Sequence, residues 1–265
     1  MKIGFIGDIV GRPARFMIQK ELKKIRKRFS LDFVIANYEN ASHGFGVTEK
    51  NTKELVNYGV DFMTGGNHSW DKKDIIPVFD SLPLIRPLNF PTSSAGVGYK
   101  IVQIKNKKVA IINLMGNFGM PMSDNPFTKI VESLKTIQAD HIFIDFHAET
   151  TAEKRTLLMM LADKVDIIYG THTHVATDDY QLFKNRCFYI TDIGLTGCYD
   201  NVIGMDSESS ITRVLTGVSS HNKVPEPKDC QKILQMVIAD FETKKGFTYK
   251  VFENGESVIR EAFYL

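Results

Sequence analysis

Residues 166–174 read Asp166-Ile167-Ile168-Tyr169-Gly170-Thr171-His172-Thr173-His174. An apolar run of strand length stops at a glycine, and side chains able to bind metals follow at once. That is the profile of a buried strand delivering chemistry at its C-terminal end. On an extended segment, positions i and i+2 point the same way, so His172 and His174 can both reach one site.

Working outward, the same grammar recurs. Ile3 to Ile6 is an apolar run stopped by Gly7-Asp8; Ile18, Leu22, Ile25 and Phe29 then fall at spacings of four, three and four, one face of a helix. Phe33-Val34-Ile35-Ala36 precedes a helix near Glu49 to Tyr58, Asp61 to Thr64 precedes a helix near Lys72 to Phe79, and Ile142 to Phe146 reads as a further strand. Short apolar strands alternating with amphipathic helices predict a sheet covered on both faces. Gly98 to Ile104 and Lys107 to Leu114, about the Lys105-Asn106 turn, predict an antiparallel hairpin. The β-branched and aromatic segment from Cys230 to Leu265 predicts another antiparallel pair. The expected fold class is α/β, with mixed β-sheets in a two-sheet sandwich flanked by helices. With 265 residues, the chain is expected to form a single domain over 1–265, Lys223 to Lys228 linking elements within it.

A composition of 43% hydrophobic and 24% charged residues argues against global disorder. The net charge of +2 gives no long-range pull toward nucleic acid or anionic lipid, and the basic residues between Lys20 and Arg28 read as the solvated face of a helix. Cys187, Cys198 and Cys230 form no C-x-x-C pair, which argues for a reducing compartment rather than a disulfide framework. Asp8 interrupts the first apolar run too early for a signal peptide, and no stretch of about 18 apolar residues occurs. A soluble cytoplasmic protein without a membrane partner is expected.

Five predicted strands end in candidate site residues: Gly7-Asp8, Asn37-Tyr38-Glu39-Asn40, Gly65-Gly66-Asn67-His68, Asp145-Phe146-His147-Ala148-Glu149 and the Gly170–His174 stretch. In open α/β sheets this edge is where ligands bind. Singly, each residue has an ordinary alternative: Asp8 as a helix cap, Glu39-Asn40 as loop polarity, Asn67 as a turn residue, His147 as a satisfied core histidine. Jointly, Asp8, Glu39, Asn40, Asn67, His147, His172 and His174 meet the needs of a dinuclear centre: hard or borderline ligands from several loops and a carboxylate able to bridge.

The succession G-D-I-V, Y-E-N, G-G-N-H, D-F-H-A-E and G-T-H-T-H resembles the calcineurin-like metallophosphoesterase superfamily, and most closely its YmdB-type branch, over nearly the whole chain. The chain departs from the wider superfamily in carrying Val10 where a D-x-H histidine stands and Glu39 where an aspartate bridges. By this resemblance, Asp8, Glu39, Asn40 and His174 hold one metal, and Glu39, Asn67, His147 and His172 the other. The resemblance further implies hydrolysis by metal-activated hydroxide, His68 as general acid, 2′,3′-cyclic nucleotides or related phosphodiesters as substrates, and self-association. With no thiolate ligand and an amide in the first site, iron or manganese is expected first and zinc second.

Competing readings are a phosphomonoesterase or nucleotidase, and a non-hydrolytic, metal-ordered RNA-binding or regulatory module. The second lacks a basic stripe with interleaved aromatics. RNA-related substrates stay open. For Asp71, a helix cap is preferred over orienting His68. The Ala41–Gly46 loop, with His43, reads equally as a pocket wall or a mobile turn. His141 and His221 lie outside every motif and are assigned no role.

Overall fold

The computed structural model describes residues 1–218 and 223–264; His221 lies outside them. The strands are β1 (Lys2–Ile9), β2 (Phe33–Asn37), β3 (Phe62–Thr64), β4 (Tyr99–Ile104), β5 (Lys107–Met115), β6 (His141–His147), β7 (Ile167–Thr171), β8 (Gln181–Phe183), β9 (Cys187–Ile190), β10 (Leu195–Cys198), β11 (Lys232–Asp240), β12 (Lys245–Phe252), β13 (Ser257–Glu261) and β14 (Phe263–Tyr264). The helices are α1 (Gly11–Phe29), α2 (Glu49–Tyr58), α3 (Pro126–Leu134), α4 (Thr151–Leu161) and α5 (Ser207–Thr216). Two seven-stranded sheets result, ordered β13-β12-β11-β10-β1-β2-β3 and β14-β8-β9-β7-β6-β5-β4. Both are mixed. The parallel run β10-β1-β2-β3 reaches one edge of the first sheet, and β5-β6-β7-β9 forms the centre of the second. The expected hairpin is β4–β5, and the C-terminal antiparallel pair is β11–β12.

Strand parity explains the layers. Ile3, Phe5, Ile35, Phe143, Ile167 and Tyr169 point between the sheets and form one core, in which Phe5 packs on Phe143 and Tyr169 with ring centroids 5.5 and 4.9 Å apart. Ile6, Val34 and Ala36 face α1 and α2; Ile144, Phe146 and Ile168 face α4. Helix α1 buries Met17, Ile18, Leu22 and Ile25, while Lys20, Lys23, Lys24, Lys27 and Arg28 stay at the solvent-facing side, as the charge pattern implied; Arg26 departs from it, half-buried and bonded to Asp61 and Gly59 O. Thr48 caps α2 by accepting from the Asn51 N–H, and Gly59 closes it at φ 111°.

Several details correct the sequence reading. The expected helix near Lys72 is a 3₁₀ helix, Lys73–Ser81, with Pro77 inside, where an α-helical hydrogen-bond ladder could not continue. Asp8 caps nothing; the residue before α1 is Val10, without a side-chain bond. Cys198 and Cys230 form a disulfide across 32 residues of sequence. The pair is invisible to spacing because β10 and β11 bring it together: Cys198 registers with Lys232, and Tyr199 N–H reaches Gln231 O. Lys223 to Lys228 leads from α5 toward β11.

Strand β1 must be bare where the β10 approach crosses it. The Asp8 N–H donates to Gly194 O at 3.0 Å, and a Cβ on Gly7 would lie 1.8 Å from that oxygen. Gly7→Ala is therefore expected to lower stability by about 3 kcal/mol or more, read from urea unfolding, because a backbone carbonyl cannot rotate away as a side chain can. An unchanged midpoint would refute this crossing.

Candidate metal centre

At the C-terminal ends of the parallel strands, alternate residues continue from the core into the gap between the sheets. On β6 the inward series Phe143, Asp145, His147 changes from apolar to polar; on β7 it runs Ile167, Tyr169, Thr171, and on β2 Ile35, Asn37. Asp145, wholly buried, accepts from Asn37 Nδ2 at 3.0 Å, from Thr171 Oγ1 at 2.7 Å and from the Thr64 hydroxyl. Burial pushes its carboxyl up to about 7, against the lowering influence of His147 and these hydrogen bonds. Because the single Thr171 hydroxyl proton goes to Asp145, its oxygen accepts from His147 Nδ1–H at 2.9 Å. His147 Nε2 is thereby left facing the site. Sequence reading placed Asn37, Asp145 and Thr171 inside its motifs without giving them a role, and it passed over Thr64. The signal was present in parity, since an aspartate shares a face with Phe143 in an otherwise apolar strand.

All seven candidate ligands converge. His147 Nε2 lies 3.0 Å from Glu39 Oε1, 3.1 Å from Asn67 Oδ1 and 3.1 Å from His172 Nδ1. Glu39, His147 and His172 offer ligand atoms all within 4.8 Å of one another. Beside them, His174 Nε2 lies 3.1 Å from the Asn40 amide and 3.7 Å from Asp8 Oδ1, which is itself 3.9 Å from His147 Nδ1. Glu39 bonds to the Asn40 amide at 3.4 Å and so touches both groups. The ring nitrogens are sorted by their outer partners: His174 Nδ1 donates to Ile203 O at 2.8 Å, and His172 Nε2 sits 3.1 Å from Glu149 Oε2.

The two loop histidines are not on an extended segment. His172 has φ 97° and His174 φ 63°, in the region non-glycine residues rarely occupy. Both reach the centre through this turned backbone rather than through strand alternation.

The donor set fits divalent cations. Asp8 Oδ1 and Asn40 Oδ1 are buried without a hydrogen-bond partner, and the Asn40 oxygen and nitrogen exchange places on a half-turn of the amide. Burial pushes the Asp8 carboxyl up despite His174 and His147 nearby. Burial would also raise Glu39, but His147, His68 and His172 overrule it and hold it at about 2. Burial would depress His147, yet Glu39, Asp8 and Asp145 raise it to about 9. Burial and the His147 charge depress His172 to about 3. One proton on His147 thus stands among Glu39, Asn67 and His172, a set of acceptors suited to a cation.

His68 lies on the turn after β3. Its backbone N–H donates to Glu39 Oε2 at 3.1 Å, its Nδ1 lies 2.8 Å from Asp71 Oδ2, and Phe45 meets its ring edge-on at 5.0 Å. Asp71 therefore orients His68 and is no helix cap, correcting the expectation. His43, exposed at φ 58°, lines a separate cleft of about 1030 Å³ with Arg12, Arg15 and Tyr58, away from the seven ligands. His141 pairs with Asp166 at 3.2 Å.

The YmdB-like protein family matches residues 5–253. The chain is 42% identical, over 251 residues, to the 2′,3′-cyclic-nucleotide 2′-phosphodiesterase of Bacillus subtilis (strain 168), covering 93% of this chain and 94% of that protein. Among solved structures, a Thermus thermophilus protein described as hypothetical superposes with a TM-score of 0.88 and 31% identity, covering 99% of this chain and 100% of its own. A Mycoplasma pneumoniae protein described as a novel phosphatase gives 0.87 and 34%, covering 99% and 94%.

The raised Asp145 and the depressed His172 change stability in opposite directions over the same acid range, and the Glu39–His147 pair contributes the two outer arms of the pH response of the metal-free chain. His147 contributes stability fully present below its ordinary 6.5 and lost as pH rises through about 9; Glu39 contributes stability fully present above its ordinary 4.5 and lost as pH falls toward about 2. Urea midpoints of chelator-treated protein should therefore be highest between these ordinary values and fall on both sides. Added Mn²⁺ should flatten the alkaline fall by replacing the proton. A midpoint that keeps rising from pH 6.5 to 9 without metal would contradict the pairing.

Proposed function

The chain belongs to the YmdB-like protein family and is a phosphoesterase, and from that premise we propose that it is a dinuclear-metal phosphodiesterase acting on 2′,3′-cyclic nucleotides. The observation that carries this reading is the His68–Asp71 contact of 2.8 Å beside the convergent ligand set. Asp8, Glu39, Asn40 and His174 would hold one cation, and Glu39, Asn67, His147 and His172 the other, with iron or manganese favoured by the absence of thiolates. Divalent cations at such a site supply polarisation of the phosphoryl oxygen and acidification of water.

The protein's own residues do the rest. Glu39 is held ionised at about 2 by its three histidines, so its carboxylate is available throughout the physiological range. Asp71 accepts from His68 Nδ1–H, which fixes the ring and leaves Nε2 as the atom that releases a proton to the departing oxygen. Phe45 closes the other side of the ring. The relative's printed name places the cut at the 2′ bond. Carried to this chain, water adds to phosphorus, the ribose 2′ oxygen leaves with the His68 proton, and the product is a nucleoside 3′-monophosphate. The same reading takes the protein to be cytoplasmic and self-associating. No helix among the described residues is long and apolar enough to cross a membrane.

Chelation should abolish hydrolysis of 2′,3′-cyclic AMP, and Mn²⁺ or Fe²⁺ should restore it; faster turnover of nucleoside monoesters than of cyclic diesters would favour the nucleotidase reading instead. The acid role has a sharper test. His68→Ala should lower kcat about 10² to 10⁴-fold on the cyclic nucleotide, whose alkoxide leaving group needs a proton. It should lower kcat far less on bis(p-nitrophenyl) phosphate, whose leaving group is stable as an anion. Asp71→Ala should show the same split to a smaller degree. Equal losses on both substrates would remove the acid from His68.

A further inference from the structure

The positive φ values of His172 and His174 are conformationally costly for non-glycine residues and persist only where the surroundings over-determine them. Asp8 Oδ2 accepts from the His172 N–H at 3.1 Å and Ile203 O from His174 Nδ1 at 2.8 Å, and beside these contacts a charged pair outside the ligand set holds the same backbone. Lys154 of α4 and Asp192, just after β9, form an ion pair of 2.8 Å with each side chain 1% exposed. Lys154 Nζ also donates to Thr171 O at 3.0 Å, and Asp192 Oδ2 accepts from the Thr173 N–H at 3.2 Å. The pair therefore grips the backbone on both sides of His172. Asp192 Oδ1 accepts from the Gly194 N–H at 2.8 Å, and Gly194 O accepts from the Asp8 N–H at 3.0 Å, which extends the grip to another candidate ligand. A Cβ on Gly170 would lie 1.7 Å from Thr191 O and 2.9 Å from Lys154 Cδ, so β7 is bare where the lysine stem passes.

Burying an ion pair seldom stabilises a fold more than apolar packing of the same volume, whereas its fixed geometry can specify one conformation. We propose that Lys154 and Asp192 are positioning residues that pre-form the metal-binding loop, holding His172 and His174 in their turned conformations before any cation binds and so raising the affinity of the centre. The affinity part rests on the metal-site reading above; the pre-forming part does not. Both side chains are buried and neither is among the seven candidate ligands. Their action passes through the backbone at Thr171, Thr173 and Gly194.

Hydrogen exchange on the chelator-treated wild-type protein tests the clamp without any substitution. The Thr173 and Gly194 amides are expected to exchange as slowly as core amides of β6 and β7. Fast exchange of Thr173 in metal-free protein, slowed only on adding Mn²⁺, would overturn the proposal, because the cation and not the ion pair would then order the loop. The double variant Lys154→Met with Asp192→Leu removes both charges at similar volume. It should bind Mn²⁺ about 10 to 100-fold more weakly by calorimetry and exchange Thr173 faster, while keeping a cooperative thermal transition. Unchanged Mn²⁺ affinity in the folded double variant would overturn the affinity claim. Failure of the wild-type protein to bind Mn²⁺ would overturn the metal reading and the affinity claim with it, and the exchange result would still decide whether the clamp pre-forms the loop.

Discussion

The arrangement depends on one buried carboxylate. Asp145 sits between the sheets where the apolar core gives way to the site, and it takes hydrogen bonds from Asn37 and Thr64 of one sheet and Thr171 of the other. A buried carboxylate without donors is among the more costly groups a core can hold, so these three donors are forced into register with it. Their register is also that of the site. Asn37 Oδ1 accepts from the Glu39 N–H at 3.0 Å, and Thr171 fixes the tautomer of His147. A single carboxyl group thus joins the two sheets and aims two of the groups that face the centre.

Above Asp145 the charges are arranged around points that favour a positive partner. His147 Nε2 and His172 Nδ1 approach to 3.1 Å, a distance at which two ring nitrogens need a proton or a cation to bridge them. Glu39 and Asn67 present oxygens to the same point. In the metal-free chain a proton on His147 satisfies the cluster, so its pKa lies near 9 although burial alone would depress it. The second group, Asp8, Asn40 and His174, holds two buried oxygens, Asp8 Oδ1 and Asn40 Oδ1, without hydrogen-bond partners. A cation would take a proton's place in the first group and would give partners to two orphaned oxygens in the second, so the two differ in what it would relieve.

Strands β1 to β7, β11 and β12 and the seven candidate ligands were legible because each leaves a local mark: an apolar run, a turn, or a polar residue directly after a strand; the short β8, β9, β10, β13 and β14 leave none. What was not legible depended on partners far apart in sequence. Asp145 reads as a core polar residue until β2 and β3 supply Asn37 and Thr64. Asp71 reads as a cap until the backbone after His68 turns, and the residue before the following 3₁₀ helix proves to be Lys72 without a side-chain bond. Lys154 lies in a helical pattern where a solvated lysine is the default, yet it is buried, because Asp192, thirty-eight residues on, returns beside it. The disulfide is hidden for the same reason. The inference from i, i+2 spacing reached the right destination by the wrong route: Thr171 ends the strand, and the loop then bends through two left-handed histidines.

That bend determines what the two histidines can do. Were His172 and His174 on an extended strand, their rings would stack in parallel and present equivalent nitrogens to one point. Instead Glu149 takes the outer nitrogen of His172, leaving Nδ1 toward His147 and Glu39, whereas Ile203 O takes Nδ1 of His174, leaving Nε2 toward Asp8 and Asn40. Opposite ring atoms therefore face two different clusters of oxygen donors from residues two apart. Exposure divides the same way: His174 is buried on the floor of the site, whereas His172 is half-buried beside the exposed Glu149. A floor histidine is locked by main chain, which cannot titrate or swing away. A histidine at the mouth is steadied by an exposed side chain that can swing aside, so of the two candidate ligands His172 is the one whose ring is free to answer to what enters the cleft.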